Sequence, residues 1–191
     1  MAQIIVECAA PSIHPLIKAI SSLTRSVDFE VSVLHSEDVK SLQYKKTDSS
    51  LGELIPLLQS GQSSSLILTP RNGQIRSFVL YAPNLFPESL SIWHLFVDYS
   101  SWVFMDGVRQ ICEIDGLRFV SAALENSLDL SDQDIDKDEY PWGSRELILV
   151  ASSRDCRARS WRARRGSCQG LPSEVLRAVD DFVNGHEAEI Q

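Results

Sequence analysis

The spacing of apolar and polar positions divides the chain into short elements. Residues 3–8 form a short apolar run suited to a buried strand. After Pro11 and Ser12, apolar residues at Ile13, Leu16, Ile17, Ile20 and Leu23 keep one helical stripe. Pro15 falls in the first turn of that helix, where a missing N–H costs little. Residues 29–33 then alternate as a half-buried strand does. The opening reads as a β-α-β unit, which many folds share and which implies no chemistry by itself.

Further along, Ser50 and Glu53 have capping-box spacing ahead of Leu54, Ile55, Leu57 and Leu58, and Pro56 predicts that this helix is short or kinked. Residues 60–65 read as a polar loop. Two apolar runs, 66–69 and 74–81, flank Pro70-Arg71-Asn72-Gly73, and Asn-Gly in that position is a hairpin signal. Residues 90–99 fit a helix by spacing and a strand by aromatic content. Asp106-Gly107 and Asp115-Gly116 enclose seven residues. They predict a three-strand meander over 102–105, 108–114 and 117–123. One more strand is expected over 147–150. A final helix is expected from Pro172 to Val183, with Asn184-Gly185 at its end.

The sum is an α+β fold: a single domain with a largely antiparallel sheet, an N-terminal β-α-β unit and a C-terminal helix. The expected organisation is a core over 1–151, an Arg-rich linker or loop over 152–170, and a helix in 171–191 packed on the core. A chain of 191 residues is long enough to bury a core of its own. Its 43% hydrophobic and 23% charged residues exclude a wholly disordered or collagen-like chain.

Charge changes the picture more than composition does. The net charge of -8 opposes a whole-surface nucleic-acid binder, because phosphate binding needs cationic surface. Two segments depart from the average in opposite directions. Residues 125–139 hold seven acids (Glu125, Asp129, Asp132, Asp134, Asp136, Asp138 and Glu139) against Lys137. Residues 154–165 hold six arginines (Arg154, Arg157, Arg159, Arg162, Arg164 and Arg165) against Asp155.

Asp132, Asp134 and Asp136 match positions 1, 3 and 5 of a calcium loop, but Lys137 replaces the sharp-turn glycine and Gly143 stands where the bidentate glutamate belongs. The acidic segment reads instead as a docking surface for a basic protein, or as a solvated loop. Tyr140 and Trp142 directly follow the acids and can anchor a partner at low entropy cost. The candidate partner-binding residues are therefore Asp129, Asp132, Asp134, Asp136, Asp138, Glu139, Tyr140 and Trp142. The arginine segment has rival readings: pairing with the chain's own acids, a linker, a protein contact, or nucleic-acid contact with Trp161 stacking on a base.

Catalytic signatures are missing. None of His14, His35, His94 and His186 sits in a short metal-ligand motif. Cys8, Cys112, Cys156 and Cys168 form neither a compact disulfide framework nor a close C-x-x-C pair. There is no nucleophile elbow, Walker A loop or dinucleotide fingerprint. The serines at 63–65 lack a base that the sequence can place beside them. No catalytic residue, metal or cofactor is expected. The sequence implies an acidic protein that binds a macromolecule, as an inhibitor or immunity-type protein covers a basic toxin or nuclease. The alternatives are an enzyme with a non-motif site near His94 and Cys112, and nucleic-acid contact through the arginine segment. The opening residues show no basic, apolar leader, and no stretch approaches a membrane span, so a cytoplasmic location without membrane contact is expected.

Overall fold

The computed structural model describes residues 2–9, 12–24, 28–41, 43–83, 92–124, 147–158, 160–166 and 168–186. Among the described residues nine strands make one sheet: β1 (Ala2–Ala9), β2 (Phe29–His35), β3 (Lys45–Thr47), β4 (Ser63–Pro70), β5 (Ile75–Tyr81), β6 (Ile92–Tyr99), β7 (Leu117–Leu124), β8 (Leu147–Ser153) and β9 (Trp161–Arg165). The helices are α1 (His14–Leu23), α2 (Leu51–Gln59), α3 (Phe104–Cys112) and α4 (Ser173–His186). The strand order is β3-β2-β4-β5-β6-β1-β7-β8-β9, and every neighbouring pair is antiparallel. This is the expected α+β architecture with a C-terminal helix. The opening β1-α1-β2 does not form a paired unit, however. β1 lies between β6 and β7, and three strands separate it from β2.

Strand alternation assigns the two faces. Ile4, Val6 and Cys8 of β1 lie opposite Val97, Leu95 and Trp93 of β6. Leu80 and Phe78 of β5 continue this apolar face, then Leu66 and Leu68 of β4, then Val33 and Val31 of β2. One buried cluster joins these residues to Leu16 and Ile20 of α1, Leu54 and Leu58 of α2, Val108 and Ile111 of α3, and Val179 and Phe182 of α4. Among the described residues the helices thus form one layer on one face, and the other face is helix-free. The buried Ile5, Leu34, Ala123 and Leu147 stand outside that cluster, as expected for the opposite face.

Local signals explain several boundaries. The Ser50–Glu53 capping box is formed, and α2 tolerates Pro56 by being only nine residues long. Asn72-Gly73 joins β4 to β5 as an antiparallel hairpin. The predicted meander is only partly correct. Its last strand is β7, but residues 104–112 are a helix. Phe104, Met105, Val108, Ile111 and Cys112 are all buried and recur with a helical period. Gly107 is therefore a packing glycine: a Cβ there would collide with the Tyr99 hydroxyl and stand 3.4 Å from Ile4. Gly107→Ala is expected to cost about 1–3 kcal/mol of stability in urea unfolding. An unchanged midpoint would contradict this close approach. Gly116, from the second Asp-Gly pair, is a real turn, with φ +92° and its N–H bonded to the Cys156 carbonyl.

Two further expectations change. The serines at 63–65 are not loop; they are the buried start of β4. Residues 152–170, expected as linker or loop, hold the end of β8 and all of β9. Trp161 and Ala163 point into the helix layer, while Arg162 and Arg164 point the other way. Arg165 pairs with Asp180 of α4 at 3.0 Å.

Candidate functional site

The sheet face opposite the helices carries the clustered polar chemistry. Its side chains fall into three rows running across the strands. One row reads Ser65 (β4), Tyr81 (β5), His94 (β6), Glu7 (β1), Phe119 (β7), Ser152 (β8) and Arg162 (β9). The middle row is mostly apolar: Ile67, Val79, Phe96, Ile5, Ser121 and Val150, ending at Arg164. The third contains Ser77, Asp98 and Gln3. There Asp98 accepts hydrogen bonds from Ser77 Oγ and Gln3 Nε2, each at 2.6 Å, one on each carboxylate oxygen.

The first row is chemically the richer. Glu7 and His94 face each other on adjacent strands, with His94 Nε2 3.6 Å from Glu7 Oε1. Both are buried, at 8% and 2% exposure. Burial disfavours charge on each, in opposite directions of titration. It pushes the Glu7 carboxyl above its ordinary range, and the positive charge of Arg118 partly opposes that rise. It pulls His94 down to about 4, so the imidazole is neutral at neutral pH. On the other side of His94, burial raises the Tyr81 hydroxyl, which is also hydrogen-bonded to Tyr44. Tyr44 in turn meets Ser65 Oγ at 2.6 Å. A hydroxyl chain thus leads towards a carboxyl–imidazole pair in the middle of the sheet.

No family model, curated protein or solved structure matches this chain.

The site geometry separates residues expected to work together. His94 lies on the helix-free face, whereas Cys112 closes α3 and belongs to the core on the other face. Burial also pushes the Cys112 thiol up to about 12, so it is no thiolate at neutral pH. Trp161 is not placed to stack on a base, because it is 4% exposed and its indole N–H donates to the Cys112 carbonyl at 2.7 Å. Asp129, Asp132, Asp134, Asp136, Asp138, Glu139, Tyr140 and Trp142 lie outside the described residues. Among the described residues no three His, Cys, Asp or Glu side chains gather as metal ligands.

Conversely, the fold assembles groups that the sequence pattern did not single out. Glu7 lies within the apolar run 3–8, although Gln3, Ile5 and Glu7 alternate with Ile4, Val6 and Cys8. That alternation marks a second, more polar face. Ser63 meets a histidine after all: its Oγ lies 3.4 Å from His35 Nδ1, across the β2–β4 pairing. No local sequence signal gives that contact, since it spans 28 positions.

Proposed function

We propose that the protein acts in the cytoplasm by binding a basic macromolecular partner, as an inhibitor or immunity-type protein covers a toxin or nuclease. One observation carries this reading. β7 and β8 are antiparallel neighbours, which a turn of two residues can join, yet 22 residues separate Leu124 from Leu147. Connections of that length inside a domain are unusual and commonly functional. Residues 125–146 hold eight acids against two bases, accounting for six of the net eight negative charges. The other 169 residues thus carry only -2. That remainder includes the +5 of residues 154–165, and the connection holds the chain's densest run of negative charge.

Such a concentration of charge speeds encounter with a cationic protein, and Tyr140 and Trp142 supply apolar area to hold it. Among the described residues no helix is long and apolar enough to cross a membrane. The test replaces residues 127–144 by a short Gly/Ser turn. The basic protein retained from native cells by the unaltered chain serves as the probe. Stability is expected to stay within about 1 kcal/mol, since loop length enters closure entropy weakly, while association is lost. Undiminished association would remove the insertion from the account. A second reading, an active site on the helix-free face, is favoured by the buried Glu7–His94 pair and would draw on Tyr81 rather than Cys112.

A further inference from the structure

We propose that the β9 edge of the sheet is a second, oppositely charged surface that takes the phosphate backbone of a nucleic acid. It goes beyond the reading given above. Among the described residues β9 is the last strand of the sheet, and Arg162 and Arg164 are exposed on its helix-free side, two residues and so about 7 Å apart. Arg154, in the turn leading into β9, is exposed as well. Among the described residues, none of these three guanidinium groups meets a carboxylate.

The opposite edge shows why this matters. Charge on an edge strand ordinarily blocks sheet-to-sheet aggregation. At the far edge, β3 is three residues long and carries Lys45 and Lys46. Both lysines are paired, with Asp38 at 2.7 Å and with Glu30 respectively. On β9 only Arg165, which points into the helix layer, has such a partner, Asp180. The outward arginines are held ready by a strand whose inward side is fixed by Trp161 and Ala163.

The surroundings favour a phosphate chain over an acidic protein. Residues 154–165 use arginine six times and lysine never, and the guanidinium fork suits bidentate phosphate contact. The side chains beside Arg162 and Arg164 on β8 are Ser152 and Val150, with no large aromatic on either strand of that face to anchor a protein partner. Trp161, the one aromatic of the strand, is buried on the other side. Contact through backbone charge needs no such anchor.

The experiment measures fluorescence anisotropy of a labelled oligouridylate, duplex DNA and polyglutamate against the full chain over a salt series. Nucleic-acid binding at low salt is expected, with log K falling against log salt by about 2 for three single-strand phosphate contacts. Arg162→Gln with Arg164→Gln is expected to weaken binding roughly tenfold and to lower the slope by about 0.7 per arginine. Arg162→Lys with Arg164→Lys keeps the charge and is expected to keep the slope; Arg154→Gln tests the turn if the β9 variants unfold. Binding indifferent to these charges would overturn the proposal. So would equal binding of polyglutamate, which would indicate an acidic protein instead. So would no anion binding combined with self-association of the glutamine variant, which would make the arginines edge guards alone.

Discussion

Trp161→Ala is expected to lower the free energy of unfolding by about 3–5 kcal/mol, the cost of removing a large buried aromatic. Trp161 opens β9, is 4% exposed, and faces the helix layer opposite Ser153. Its indole N–H satisfies the carbonyl of Cys112, the last residue of α3, which has no partner within the helix. Trp161→Phe keeps the apolar body but leaves that carbonyl unsatisfied, so about 1–2 kcal/mol is expected. Arg162→Gln, one residue along and on the other face, is expected to stay within about 0.5 kcal/mol. Urea unfolding followed by circular dichroism reads all three. A Trp161→Ala loss as small as that of Arg162→Gln would mean that the arginine segment is a loose linker rather than part of the sheet.

The second large effect is on pH dependence. His94 titrates at about 4 in the fold and near 6.5 when unfolded. Above pH 6.5 it is neutral in both states. As the pH falls towards 4 the unfolded chain takes up the proton first, so His94 removes stability, by about 3 kcal/mol over the whole window. Glu7 acts in the opposite sense. Its folded carboxyl holds the proton to higher pH than the unfolded one, so stability is lost as the pH rises above about 4.5. In the unaltered chain the two partly cancel. Glu7→Gln is expected to expose the His94 contribution as a stability that rises steeply from pH 4 to 6.5. His94→Gln is expected to leave a stability that declines over the same range. Asp98, Tyr81 and Arg118 also act on this face, but both variants retain them. Identical pH profiles for the two variants would show that Glu7 and His94 are not buried together.

Much of the architecture was legible because local signals and tertiary packing agree. The capping box at Ser50, the Asn72-Gly73 hairpin and the stripe of α1 each describe contacts within a few residues. The failures have a common physical cause. Asp106-Gly107 carries turn chemistry, yet the apolar period of residues 104–112 decides for a helix, and the glycine serves a contact with Tyr99. The serines at 63–65 are polar, but β2 on one side supplies His35 and the Tyr44 hydroxyl lies nearby, so their burial is satisfied. The Glu7–His94 pair depends on β1 being placed between β6 and β7, across 87 positions of sequence. Pattern within a strand reveals which face a residue occupies, but not which strand will lie beside it. The charge asymmetry was readable directly, whereas its division into an insertion between β7 and β8 and an edge strand required the topology.

The measurement closest to the central proposal is the association rate of the captured basic partner as a function of ionic strength. It is made with the unaltered chain and with D132N/D134N/D136N/D138N, which removes four negative charges from the insertion without shortening it. A rate that falls steeply with salt for the unaltered chain, and is lower and flatter for the variant, is the predicted result. Two superimposable salt profiles would contradict it.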